Sequence, residues 1–215
     1  MARQFERFTV RADGLSGKKA FEYEATILGM LHAFEATRAG HALLNAFRFY
    51  RREVLIYPYD GNSGTCNATE AEDWGMFRTK ISFSPRDWIG ASACHSLGAG
   101  SRANEVLYHE MVHAMRSNAK TMGHLSDAGE ETVAVMLSNV YSSEIHRPIR
   151  ATHDDFSATI VSQEDYLAAN RSLIETFYRQ HKDFCRWVAE VVVPWNPIRV
   201  FYRSLTGVPR LRTAP

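Results

Sequence analysis

His109-Glu110-Met111-Val112-His113 constrains this chain more than any other feature, because the five residues make chemical sense only on a helix. In an α-helix, positions i and i+4 lie about 40° apart around the axis and about 6 Å apart along it. Two imidazoles so placed can reach one Zn²⁺ at roughly 2.0–2.1 Å, and the glutamate after the first histidine falls beside the metal. There its carboxylate can take a proton from bound water. Val106, Leu107, Val112 and Met115 give the segment an apolar character, and no proline interrupts it. In a chain with nine histidines the motif alone is a weak signal. The opposing reading has two histidines on a core-facing stripe, satisfied by backbone. Burying two histidines and a glutamate together without a metal would leave costly polar groups to satisfy, which favours the metal.

A third ligand is expected nearby. Gly129-Glu130-Glu131-Thr132-Val133-Ala134-Val135 opens a helix, with Asp127 as its expected cap. The stripe from Glu130 continues through Val133, Leu137 and Val140, as ordinary core packing would. The stripe from Glu131 runs through Ala134, Val135, Ser138 and Ser142 and is smaller. Small residues let two helices approach closely, as a shared metal site requires, so Glu131 is preferred and Glu130 is the alternative. One Zn²⁺ per chain, held by His109, His113 and Glu131, is the expected centre.

The remaining pattern places this helix in a mixed fold. Gln4 to Ala12 alternates loosely and reads as a first strand. Apolar residues recur at helical spacing from about Tyr23 to Tyr50, and Gly40 divides them into two helices joined near Ala39-Gly40. Val54 to Tyr57 reads as a buried strand, and Asp60 to Gly64 as a loop. From Met76 to Pro85, Phe77, Thr79, Ile81 and Phe83 alternate with polar residues, the clearest strand signal and the expected edge strand beside the site. Gly90 to Gly100 reads as a loop. Helices are expected at about Arg102–Asn118, Asp127–Ile145 and Gln163–Lys182, the last opened by Ser162 with Asp165 three residues on. The apolar tail from Val191 to Leu205 is expected to pack back on the body, and the basic residues to Pro215 to fray.

Composition narrows the function. The 215 residues suffice for one domain, 1–215, with a substantial core. Lys+Arg (25) nearly balances Asp+Glu (24), so no basic excess points to nucleic acid. Arg48, Arg51 and Arg52 read as a solvated helix end. The N-terminus lacks the apolar run of a cleaved signal peptide, and no apolar stretch approaches the ~18 residues of a membrane span. Three widely spaced cysteines, Cys66, Cys94 and Cys185, read as reduced thiols made in a cytosol, with Cys185 buried and structural.

With these residues in view, the chain resembles the gluzincin-type zincin metallopeptidases, whose second helix supplies a glutamate ligand in an E-x-x-[A/S]-[D/E] setting. Glu131 to Ala134 match the first four positions. Val135 departs at the fifth, so the carboxylate that would orient a ligand histidine is missing and another group must hold its distal N–H. A closer resemblance is to NleD-like secreted bacterial effector peptidases. It rests on Ala36 to Asn45, on the strand to Pro85, on Tyr108 to His113 and on the paired glutamates, covering roughly Glu24 to Val140. The resemblance implies an α+β, mainly helical zincin-like domain with a small mixed sheet. It implies a peptidase made in a bacterial cytoplasm, delivered by a dedicated secretion machine, and acting on a protein of a target cell.

The expected chemistry is metal-assisted amide hydrolysis with Glu110 as general base. A donor for the oxyanion is expected after the ligand helix, from Tyr141, Arg150 or His153, with His153 preferred. His124, His146 and His181 read as surface or structural. Two alternatives stay open: a zinc hydrolase of a non-protein amide, and a non-catalytic interaction protein with a closed zinc site whose fourth ligand would be Cys94 or His124.

Overall fold

The alternation expected over residues 4–12 resolves into a hairpin. The computed structural model describes residues 3–59, 66–73, 78–90, 94–157 and 162–207. Strands β1 (Arg3–Phe5) and β2 (Phe8–Val10) pair antiparallel with Phe5 opposite Phe8, and Glu6 turns the chain at a φ of 52°. Glu6-Arg7 contains no Gly, Asn or Asp, the residues that mark such turns, so the sequence carried no sign of the break.

Two helices follow as expected, α1 (Gly17–Glu35) and α2 (Arg38–Tyr50), joined at Ala36-Thr37, just before the Ala39-Gly40 pair expected at or near the joint. Thr37 caps α2 by accepting from the Gly40 N–H at 3.1 Å. The Glu144 carboxylate accepts from the N–H groups of Arg38 and Ala39 at 2.7 Å each. Gly40 serves close approach: a Cβ there would stand 2.3 Å from the Phe34 carbonyl oxygen.

Strands β3 (Glu53–Tyr57), β4 (Thr69–Asp73) and β5 (Arg78–Ser82) complete a five-stranded mixed sheet of order β1-β2-β3-β5-β4. β2, β3 and β5 run parallel, and β4 pairs antiparallel with β5. The segment expected at the edge is therefore interior, and β4 occupies the edge instead. Its residues, Thr-Glu-Ala-Glu-Asp, carry too much charge to read as a strand, yet charge is what an edge strand tolerates. Thr79, Ile81 and Phe83 are buried as the alternation required; Met76, Phe77 and the Asp60–Gly64 loop lie outside the described residues.

Helix α3 (Ala103–Asn118) is buried along almost its whole length. It packs on β4 and β5 on one side and on α2 and α4 (Asp127–Glu144) on the others. Glu105 ties its start down, accepting from the Arg102 N–H at 3.1 Å and the Ser142 hydroxyl of α4 at 2.7 Å. Thr79 of β5 donates to Asn118 Oδ1 at its end at 2.7 Å. The cap of α4 is Ser126, one residue before the expected Asp127; its hydroxyl accepts from the Gly129 N–H at 3.2 Å.

The helix expected over residues 163–182 divides. α5 (Gln163–Gln180), capped by Ser162 accepting from the Asp165 N–H, stops at His181, and α6 (Lys182–Ala189) starts anew. His181 takes φ −134° and ψ 48°. Its buried ring meets Tyr50 through Nδ1 at 2.9 Å, and Arg116 and Thr121 through Nε2 at 3.2 and 2.9 Å. These long-range contacts override a local pattern that stays helical throughout. The apolar tail packs back as expected. α7 (Pro197–Thr206) begins on Pro197, with Asn196 capping the Arg199 N–H, and buries Ile198 and Phe201 in the shared core. The last residues, 208–215, are outside the described set.

The expectation of three reduced thiols is overturned. Cys66 and Cys94 form a disulfide, with Cα atoms 5.2 Å apart, while Cys185 is free and buried. The sheet brings the approach to β4 beside the 3-10 turn Cys94–Leu97, and a spacing of 28 residues gave no hint of that proximity. Among the described residues no helix is long and apolar enough to cross a membrane.

Candidate metal centre and active site

Helix α3 places His109 and His113 one turn apart, both buried, facing the first turns of α4. Their Nε2 atoms are 3.1 Å apart. Glu131 Oε2 completes a triangle, 3.1 Å from His109 Nε2 and 3.4 Å from His113 Nε2. Glu130, one residue earlier, turns away. It meets the wholly buried guanidinium of Arg116 through two nitrogens and accepts from the N–H groups of Gly123 and Leu125. The structure thus brings Glu131, and not Glu130, to the two histidines.

The donor set suits a metal. Ligand atoms at roughly 2.0–2.1 Å from a tetrahedral Zn²⁺ are spaced by about 3.3 Å, close to all three edges of this triangle. Three atoms that bind a cation through lone pairs converge on one point, where proton sharing alone would satisfy them poorly. The Nδ1 of His113 is buried without a hydrogen-bond partner among the described residues, so the missing carboxylate expected from Val135 is not replaced there. A second grouping, His109, Glu131 and His153, also has ligand atoms within 4.8 Å of one another. His153 stands 3.4 Å from Glu131 but is half exposed, and its ring centroid lies 5.5 Å from that of His109. It therefore sits on the open side of the triangle, with His113 on the closed side.

Glu110 follows His109 and is buried beside this cluster. Burial pushes its carboxyl up to about 7, with Glu131 and Glu70 adding to the rise and His113 and Arg150 opposing it. Burial brings His109 down to about 3. Burial works against the charged forms of His113 and Glu131 too, but neighbouring groups prevail: Glu131, Glu110 and Glu70 raise His113, and His109 and His113 hold Glu131 far below the usual carboxylate range. A carboxyl near 7 is suited to exchanging protons at neutral pH.

The three donors considered for an oxyanion part company. Tyr141 is in the core, stacked on Tyr108, with its hydroxyl accepting from Asn104 at 2.9 Å. His153 and Arg150 both line a cleft of about 250 Å³ with His109 and Glu110. His153 Nδ1 faces Asp154 Oδ1 at 2.9 Å. Cys66, Trp88 and Phe156 also line the cleft, and no sequence pattern singled them out for it. A larger cavity of about 470 Å³ lies between the start of α2 and α6, but no metal-binding cluster of described residues lies in it. The proposed metal cluster opens onto the smaller cleft, through His109. Of the ligands considered for a closed site, Cys94 is committed to its disulfide, and His124 is exposed between α3 and α4.

A model of the M91 peptidase family, described as an effector protein, matches residues 11–150, well over half of the chain and inclusive of every residue above from Cys66 to Arg150. No curated protein and no solved structure matches the chain.

Proposed function

The chain belongs to the M91 peptidase family of effector proteins, and from that premise we propose that it is a zinc metalloendopeptidase acting on a protein of a target cell. The observation that carries this reading is the convergence of His109, His113 and Glu131 on one point, with buried Glu110 beside it in an open cleft. His109, His113 and Glu131 would hold the ion, one per chain, within a single domain spanning residues 1–215. A Zn²⁺ bound there would supply Lewis acidity toward the attacking water and the scissile carbonyl.

Every other task falls to side chains of the protein. Glu110, buried beside the three ligands, takes the proton of the attacking water and hands it to the leaving amine. His153, on the exposed side, donates from Nε2 to the oxygen that becomes negative. Asp154 Oδ1 faces its Nδ1 at 2.9 Å and helps to fix the direction of the ring. Among the described residues β4 is the last strand of its sheet and packs on α3, so its outer side would offer main-chain groups to an extended substrate running past the cleft. Delivery from a bacterial cytoplasm through a secretion machine fits the effector description of the family.

The test is to incubate purified protein with extract of candidate target cells and map new protein N-termini. Termini produced by the wild type and absent with Glu110→Gln support the proposal. An unchanged N-terminal map with zinc-loaded wild type counts against it.

A further inference from the structure

Among the described residues Arg150 is the one guanidinium on the wall of the cleft, and its placement is built from three sides. Asn139 of α4 clamps its backbone, donating to the Arg150 carbonyl at 2.7 Å and accepting from the Arg150 N–H at 3.1 Å. Gly100, at φ 76°, leaves room for its stem: a Cβ there would stand 2.9 Å from Arg150 Cδ and 3.0 Å from Nε. The guanidinium lies 4.9 Å over the Phe156 ring. The residue is only 6% exposed.

Its partners do not match its charge. Nη1 donates to the His153 carbonyl and Nη2 to His109 Nδ1, each at 3.2 Å, and Nε has no hydrogen-bond partner among the described residues. No described carboxylate comes within ion-pair distance of the guanidinium, whereas the other deeply buried arginine, Arg116, has Glu130. Glu105, Glu131, Glu110 and Asp154 act on its charge only from beyond that distance; a buried guanidinium without a directly paired anion is costly, and arginine can only donate. The contact to His109 is also conditional. A histidine whose Nε2 is committed to a metal carries its proton on Nδ1 and cannot accept from arginine. Loading of the centre would therefore leave Nη2 without an acceptor, at the wall of the cleft.

We propose that Arg150 is a specificity-determining residue that receives an anionic group, a carboxylate or a phosphate, on the peptide substrate beside the scissile bond. Arginine suits this task because its planar fork binds both groups through two parallel hydrogen bonds. The proposal rests on the peptidase reading but is tested by binding, so that the two can fail separately.

The experiment uses zinc-loaded Glu110→Gln protein, which does not consume its ligand, and pools of short peptides in matched pairs. The pairs are Glu against Gln, phosphoserine against serine, and free C-terminal carboxylate against amide. At least one anionic pool should bind about tenfold more tightly than its neutral partner. The arm that responds identifies the source of the anion. Adding Arg150→Gln should bring that ratio to about one while zinc content is retained, and Arg150→Lys should keep a reduced preference because the charge remains. Equal binding within every pair, or a preference that survives Arg150→Gln, overturns the proposal. So does a loss in kcat that Arg150→Gln, in otherwise wild-type protein, imposes equally on neutral and anionic peptides, which would place the guanidinium on the oxyanion.

Discussion

Arg116 and Glu130 form a two-nitrogen ion pair inside the protein, joining α3 just beyond His113 to the residue immediately before Glu131 on α4. Glu130 and Glu131 are therefore neighbours with separate tasks. Glu130→Gln leaves the buried Arg116 charge uncompensated and should destabilise the fold by about 3–5 kcal/mol, with or without chelator. Glu131→Gln should weaken zinc binding, and its melting temperature should differ from wild type mainly when zinc is present. A zinc titration and a melt of each variant check both. Weak zinc binding by Glu130→Gln beside normal binding by Glu131→Gln would reverse the assignment.

Glu110 lies next to the proposed ligand set without completing it. Glu110→Gln should keep stoichiometric zinc and a near-native melting temperature while cleavage falls by about two orders of magnitude or more. Elemental analysis and an N-terminal map on the same preparation decide the point. Cleavage at the wild-type rate would remove Glu110 from the mechanism.

His181 gives the fold a dependence on pH that is separate from the cleft. Arg116 can only donate, so His181 Nε2 accepts, and the ring is neutral with its proton on Nδ1 toward Tyr50. Burial, reinforced by the Arg116 charge, brings its pKa down to about 3, against about 6.5 in an unfolded chain. Between those values the unfolded state holds more protons. The contribution is therefore complete above pH 6.5 and is lost progressively as the pH falls toward 3. At pH 5 the loss is about 2 kcal/mol. Urea unfolding of metal-free wild type and His181→Gln should show a gap that narrows from pH 7.5 to pH 5. A constant gap would refute the neutral ring.

The disulfide closes a span of 28 residues. Reduction, or Cys94→Ser, should lower stability by about 2–4 kcal/mol, whereas reductant should leave a Cys94→Ser variant unchanged. Melts with and without dithiol on both proteins provide the measurement.

What could be read along the chain was what depends on neighbours in the chain. The motif at 109–113 sets two imidazoles and a carboxylate by helix geometry alone, and the alternation through Thr79, Ile81 and Phe83 is local in the same way. The stop at His181 was hidden because its cause is a set of contacts to Tyr50, Arg116 and Thr121, remote in sequence. The edge position of β4, the meeting of Cys66 with Cys94 and the placing of Arg150 against His109 are likewise long-range events. Glu130 and Glu131 show the boundary between the two. A rotation of about 100° between successive residues guarantees that they face apart. Which of them faces His109 shows only in the tertiary structure, where Glu130 pairs with Arg116 and Glu131 meets the histidines.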